Sequence, residues 1–287
     1  MYCRRSAQFR FLSLLLGGVM WLLPFLAPPL CAQPQLQDLP YGPDPRQKLD
    51  VYLPTDTQNA PVIVLVHGGG WRFGDKSNEA VWQDKAAHWT ALGVMVVAVN
   101  YRLVPQVTPL DQAQDVARAL AYVQANAAGW GGAGDHVVLM GHSAGGHLAA
   151  LISADPALAK TLGAQDWLAT VVLDTAILDT HAVMTSAPSV LYDQAFGSDP
   201  RFWAQVSPAA RLSALAPPML LVCSTRRALP CPQADALAAR LTALGGLARI
   251  LPVDMSHRSV NEALGLHPDY TAQVDAFLRD IGLWGQP

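Results

Sequence analysis

Three short segments carry side chains and backbone groups that could act together on an electrophilic carbon. The first is Gly141-His142-Ser143-Ala144-Gly145-Gly146. A serine hydroxyl is a poor nucleophile until a base takes its proton. The glycines two before and two after Ser143 mark a bend too tight for side chains, of the kind that exposes a hydroxyl between a strand and a helix. The second segment is His67-Gly68-Gly69-Gly70-Trp71. Consecutive glycines let a backbone turn bare N–H groups to a ligand. The N–H groups of Gly69, Gly70 and Ala144 are candidates to hold a developing oxyanion. The third is Asp254-Met255-Ser256-His257. His257 is the candidate base, because it follows the last apolar run and lies downstream of the serine. The chemistry these residues would support is acyl transfer through a covalent intermediate. Of the other histidines, His142 and His147 are expected to turn away from the serine and pack, and His67 to brace the glycine loop. Trp71 would either wall a pocket or pack on that loop.

Elements able to position these groups are visible as short apolar runs. Residues 136–153 read as a buried strand followed by an Ala/Leu-rich helix, with Ser143 between them. Pro61–Val66 reads as a strand covered on both faces, Gly93–Val99 as the next buried strand, and Thr170–Leu173, Pro217–Cys223 and Ala248–Val253 as further strands. Lys48–Pro54 alternates and reads as an early strand. Helical spacing appears over residues 79–92, 111–125, 233–244 and 270–281. Residues 33–47 read as an extended lead-in and 129–134 as a glycine-rich link. Residues 179–215 lack a strong period and read as a modest insertion able to cover the site. Strands alternating with helices imply an α/β domain over 33–287, with a mostly parallel sheet and helices on both faces. Sites in such sheets lie at the C-terminal ends of the strands, where all three segments fall.

Composition narrows the class. The chain has 287 residues, of which 51% are hydrophobic and 14% charged, ample for a large core. A net charge of -3 offers no footprint for nucleic acid. Residues 1–32 read as a signal peptide: Arg4, Arg5 and Arg10 precede the apolar run Phe11–Leu23, and a cleavage point follows Ala32. An uncleaved anchor and a lipoprotein site at Cys31 are the alternatives. The expected location is the periplasm or the exterior, with no stable membrane insertion once the leader is removed. Cys223 and Cys231 would then form a disulfide across a short loop, two unpaired thiols being the other reading. No Cys/His grouping has zinc-ligand spacing.

Together, His67-Gly68-Gly69-Gly70-Trp71, Tyr101-Arg102-Leu103-x-Pro105, Gly141-His142-Ser143-Ala144-Gly145-Gly146 and the late His257 resemble the α/β-hydrolase-fold serine esterases and lipases. The nearest branch is that of hormone-sensitive lipases, feruloyl-esterase-like enzymes and kynurenine formamidases. Phe196-Gly197-x-Asp199-Pro200 and Ser207-Pro208 resemble that branch's short insert, and the likeness runs over residues 45–282. It implies Ser143 as nucleophile, His257 as general base and acid, Gly69, Gly70 and Ala144 as oxyanion hole, and no cofactor or metal. The 179–215 insert is small for a lid, so the expected substrate is a small or medium carboxylic ester. An amidase of the formamidase type and a non-catalytic binding protein on the same scaffold are the rivals. One element departs from the pattern. The family places its acid in the loop after the penultimate strand, and here that loop, Cys223–Cys231, holds two arginines and no carboxylate. Either the acid is missing or it has moved. Asp174, at the end of the preceding strand, is the first candidate, followed by Asp254, Asp179 and Asp235.

Overall fold

The computed structural model describes residues 35–56, 58–186 and 188–284; the expected leader lies outside them. The strands are β1 (Leu36–Pro40), β2 (Lys48–Tyr52), β3 (Ala60–Val66), β4 (Met95–Val99), β5 (Gly132–His142), β6 (Ala169–Leu173), β7 (Met219–Ser224) and β8 (Ala248–Val253). They form one sheet in the order β1-β2-β4-β3-β5-β6-β7-β8. β2 runs antiparallel to both β1 and β4, and all other neighbours are parallel. The helices are α1 (Glu79–Ala91), α2 (Pro109–Asn126), α3 (Ala144–Ala154), α4 (Pro156–Lys160), α5 (Thr180–Met184), α6 (Val190–Phe196), α7 (Pro200–Gln205), α8 (Pro208–Arg211), α9 (Pro230–Ala243), α10 (His257–Glu262) and α11 (Pro268–Asp280). No helix among the described residues is long and apolar enough to cross a membrane.

The continuous apolar runs become central strands because both of their faces are covered. Side chains alternate across a strand. Val62, Val64 and Val66 therefore join Val97, Leu139, Leu120 and Leu148 in one core, against α2 and α3. Ile63 and Leu65 join Val96, Val138, Trp89 and Phe277 in the other, against α1 and α11. α9 seats Ala234, Leu237 and Leu241 on Met219 and Leu221 of β7. Two expectations need correction. The lead-in contains β1, an edge strand whose half-buried Leu36 and Leu39 register with Val51 and Leu49. The glycine link is partly strand, since Gly132 pairs with Ala60 before a register shift in the ladder. The insertion is built of α5 to α8, whose starts are set by the capping side chains of Asp179, Asp199 and Ser207 and by proline in the first turn at Pro200 and Pro208.

Candidate active site

Ser143 sits where β5 turns directly into α3. Its backbone is held at φ 55° and ψ -119°, a sparsely populated conformation for a residue with a side chain. Flanking hydrogen bonds hold it there: Ser143 N–H donates to the Leu173 carbonyl at 2.9 Å, and its own carbonyl accepts from His147 N–H at 3.0 Å. The bend closes only over glycine. A Cβ on Gly141 would lie 2.2 Å from the Gly145 carbonyl oxygen, and one on Gly145 would lie 2.3 Å from that of Val66.

His257 opens α10, just beyond β8. Its Nε2 lies 3.0 Å from Ser143 Oγ, and its Nδ1 lies 2.6 Å from Asp174 Oδ2. An ionised carboxylate only accepts, so Nδ1 carries the proton and Nε2 presents a lone pair to the serine hydroxyl. Asp174 follows β6, and its side chain is fully buried. Burial alone would raise its pKa. Hydrogen bonds from His257, from Ser224 N–H at 2.8 Å and from Arg227 at 2.7 Å outweigh that and hold the carboxyl below its usual range. The structure brings together Ser143, His257 and Asp174, and leaves the other candidate acids elsewhere. Asp254 is exposed and paired with Arg226 at 2.7 Å, Asp179 caps α5, and Asp235 is exposed on α9.

Gly69, Gly70 and Ala144 line the same cleft as Ser143 and His257, a space of about 650 Å³. Gly69 adopts φ 118°, and a Cβ there would meet the Phe73 carbonyl oxygen at 2.2 Å. The loop is anchored by Trp71, which is 3% exposed. Its indole N–H donates to His147 Nδ1 at 3.2 Å, and its carbonyl accepts from Gln112 at 2.7 Å and from Val104 N–H at 3.0 Å. Burial pushes the His147 pKa down to about 4. The neutral ring donates from Nε2 to the Val206 carbonyl at 2.7 Å, so His147 packs as expected. His67 braces the loop as expected too: it stacks on Tyr101 and bonds the Gly68 carbonyl at 2.7 Å.

His142 does not turn away, contrary to expectation. Its ring lies against that of His257, tilted by 34° with 4.6 Å between centroids, and its Nε2 donates to the His257 carbonyl at 3.0 Å. Strand alternation stops at Ser143, whose left-handed backbone resets the direction of its neighbours. Sequence reasoning also passed over Ser224 and Arg227. Ser224 ends β7 and Arg227 follows in the loop beyond it, and a Cys223–Cys231 disulfide with Cα atoms 5.1 Å apart brackets both. Ser224 Oγ donates to the Met255 carbonyl at 2.5 Å, tying β7 to the segment that leads into His257. The two arginines and paired cysteines of the loop were the available signal.

A serine elbow at the end of the central strand of a mostly parallel sheet, with a histidine and a carboxylate from later strand ends beside it, defines an α/β-hydrolase. Within that class the chain belongs to the BD-FAE family, whose model matches residues 49–241, more than half of the chain. A probable isoprenylcysteine alpha-carbonyl methylesterase of Oryza sativa subsp. japonica is 40% identical over 111 residues, covering 38% of this chain and 25% of its own length. Esterase LipC of Mycobacterium tuberculosis (strain ATCC 25618 / H37Rv) is 28% identical over 256 residues, covering 79% of this chain and 61% of its own. The chain thus spans less than two thirds of either relative. Thermogutta terrifontis esterase 2, solved phosphonylated by sarin, superposes with a TM-score of 0.74 at 23% identity, over 92% of this chain and 100% of that one.

Proposed function

We propose that the protein is a serine hydrolase that cleaves carboxylic esters of small or medium size through an acyl-enzyme. The observation that carries this reading is the unbroken relay from Ser143 Oγ to His257 Nε2 at 3.0 Å, and from His257 Nδ1 to Asp174 at 2.6 Å. In this reading His257 takes the hydroxyl proton as Ser143 attacks the ester carbonyl. The proton then passes to the leaving alcohol, and water repeats the sequence on the acyl-enzyme. Asp174 holds the imidazole in the tautomer that leaves Nε2 free. The N–H groups of Gly69, Gly70 and Ala144 receive the oxyanion, and the loss of one such donor typically costs about 2.7–4 kcal/mol of barrier. A cleft of about 650 Å³ with Ile177, Leu191 and Phe73 in its lining suits a short acyl chain. The esterase names of the relatives support the same class of substrate.

A fluorophosphonate probe tests the reading directly. It should modify Ser143 stoichiometrically, Ser143→Ala should take up none, and the wild type should hydrolyse p-nitrophenyl acetate. A wild type that resists the probe and hydrolyses no activated ester would leave a binding protein on a hydrolase scaffold. We further infer a periplasmic or extracellular location. The leader pattern of residues 1–32 and the Cys223–Cys231 bridge support it, since disulfides persist in oxidising compartments. Finding the exported protein to begin at Gln33 would agree with this, and retention in the cytosol would refute it.

A further inference from the structure

The loop that lacks a carboxylate puts a cation at the same place. Arg227 Nη1 lies 2.7 Å from Asp174 Oδ2, 3.1 Å from the Asp174 carbonyl oxygen and 2.9 Å from His257 Nδ1. The last contact is not a hydrogen bond in the working tautomer, because both nitrogens are donors. Arginine and imidazole instead converge on one carboxylate oxygen, while Ser224 N–H holds the other. Resting on the proposed function, we propose that Arg227 is a positioning residue: it fixes the relocated Asp174 carboxylate toward His257 and sets a fixed positive charge beside the imidazole.

With Arg227 in place, Asp174 and Arg227 cancel, and a proton added to His257 leaves the trio with a charge of about +1. Without the guanidinium, the same proton neutralises a lone carboxylate and is bound more readily. Opposite or like charges within ~4–6 Å shift proton affinity by about 1–3 units. The Arg227 side chain is 30% exposed, so solvent screens part of its charge.

The other ionisable groups around the trio do not substitute for this cation. His142, against the ring of His257, is pushed down to about 3 by burial and by His257, and stays neutral. Lys85, behind His142, is pushed down to about 7 by burial and donates to the backbone of Asn261 and Ala80. Tyr192 and Tyr270 lie within the field of the Asp174 charge, and burial raises both phenols. Arg226 pairs with Asp254, and Arg258 with Glu262. The disulfide brackets the segment that carries Arg227, which restricts where the guanidinium can go.

The test is the pH dependence of the rate at which a fluorophosphonate modifies Ser143, measured on full-length mature protein for the wild type, Arg227→Gln, Arg227→Met and Arg227→Lys. The neutral variants should show the acid limb of the profile displaced to higher pH by about one unit. Arg227→Lys should keep it within a third of that displacement. Coincident limbs for the wild type and the neutral variants would overturn the proposal, as would a lysine variant displaced as far as glutamine. Failure of both neutral variants to fold, judged by circular dichroism, would also overturn it by making Arg227 a structural tie. If the wild type itself takes up no probe, it is the hydrolase reading that fails; if it is labelled and the limbs coincide, only the role of Arg227 fails.

Discussion

Asp174→Asn is the most informative single change, because every group around the carboxylate is a donor. Oδ2 accepts from His257 Nδ1 and Arg227 Nη1, and Oδ1 accepts from Ser224 N–H. The asparagine amide can be placed in two ways. With its nitrogen at the Oδ2 position it faces the guanidinium donor to donor. It then forces His257 to accept at Nδ1 and carry its proton on Nε2, where it can no longer take the serine proton. With its nitrogen at the Oδ1 position it opposes the buried Ser224 N–H. A buried donor left unpaired costs about 1–3 kcal/mol, and the charge that stabilises the imidazolium is gone. Either placement removes a term that operates in the transition state, so kcat should fall by on the order of 10³–10⁴ with little change in KM. The assay is steady-state hydrolysis of p-nitrophenyl acetate, with circular dichroism as the fold control. Asp254→Asn serves as comparison: that side chain is 80% exposed and held by Arg226, so its kcat should stay within about two-fold of the wild type. A strong loss in Asp254→Asn with near-normal turnover in Asp174→Asn would refute the reasoning about which carboxylate orients the base.

Two further outcomes follow from packing and burial. Gly145→Ala should destabilise by at least about 1–3 kcal/mol in urea and abolish turnover, because the new methyl would lie 2.3 Å and 2.4 Å from backbone oxygens of Val66 and His67; Gly129→Ala, with open space at its Cβ, is the neutral control. Acid should weaken the fold well above carboxylate pH. Burial lowers the pKa of His67 and of His147 to about 4, against about 6.5 when unfolded. Between those values the unfolded chain binds more protons, so stability is complete above pH ~6.5, falls as pH drops toward ~4, and levels off below, by up to about 3 kcal/mol per histidine. Urea midpoints that stay constant from pH 7 to 4.5 would contradict this.

The legible parts of the fold were those in which one residue type repeats over a whole element. The apolar runs within β3 to β7 announce themselves because a strand covered on both faces is built mostly of apolar residues. β1 does not, since Leu36 and Leu39 are its only large apolar side chains and its pairing depends on β2. The helices of the insertion run to seven residues at most, too short to display a period. At the site, Ser143 and the glycine loop are legible because their constraint is local: the bend itself demands the neighbours it has. His142 and Arg227 are not, because what they touch comes from other strands. The charge of Arg227 reads from the sequence as an obstacle to catalysis beside an imidazole. The structure shows that its hydrogen bonds go to the carboxylate.

Why the carboxylate can leave the loop after β7 follows from sheet geometry. β6 and β7 are parallel neighbours, with Leu173 in register with Val222. Neighbouring strands lie about 4.8 Å apart, within the reach of an arginine side chain and about the span of two hydrogen bonds. A carboxylate at the end of β6 and one in the loop after β7 can therefore approach the same imidazole nitrogen from adjacent positions. Placement at the β6 end has a cost, since Asp174 takes φ 50° and is fully buried. A buried carboxylate needs several donors, and β7 supplies the Ser224 N–H while the loop beyond supplies Arg227. An arginine in the emptied loop is thus the expected companion of an acid on the neighbouring strand. Removing the cation while leaving the acid would expose a buried, under-solvated charge, and moving the acid back to the β7 loop would leave Arg227 without its partner. The two residues are coupled, so the Asp174→Asn and Arg227→Gln effects on kcat should be less than additive in the double variant. Simple additivity would show that they act independently.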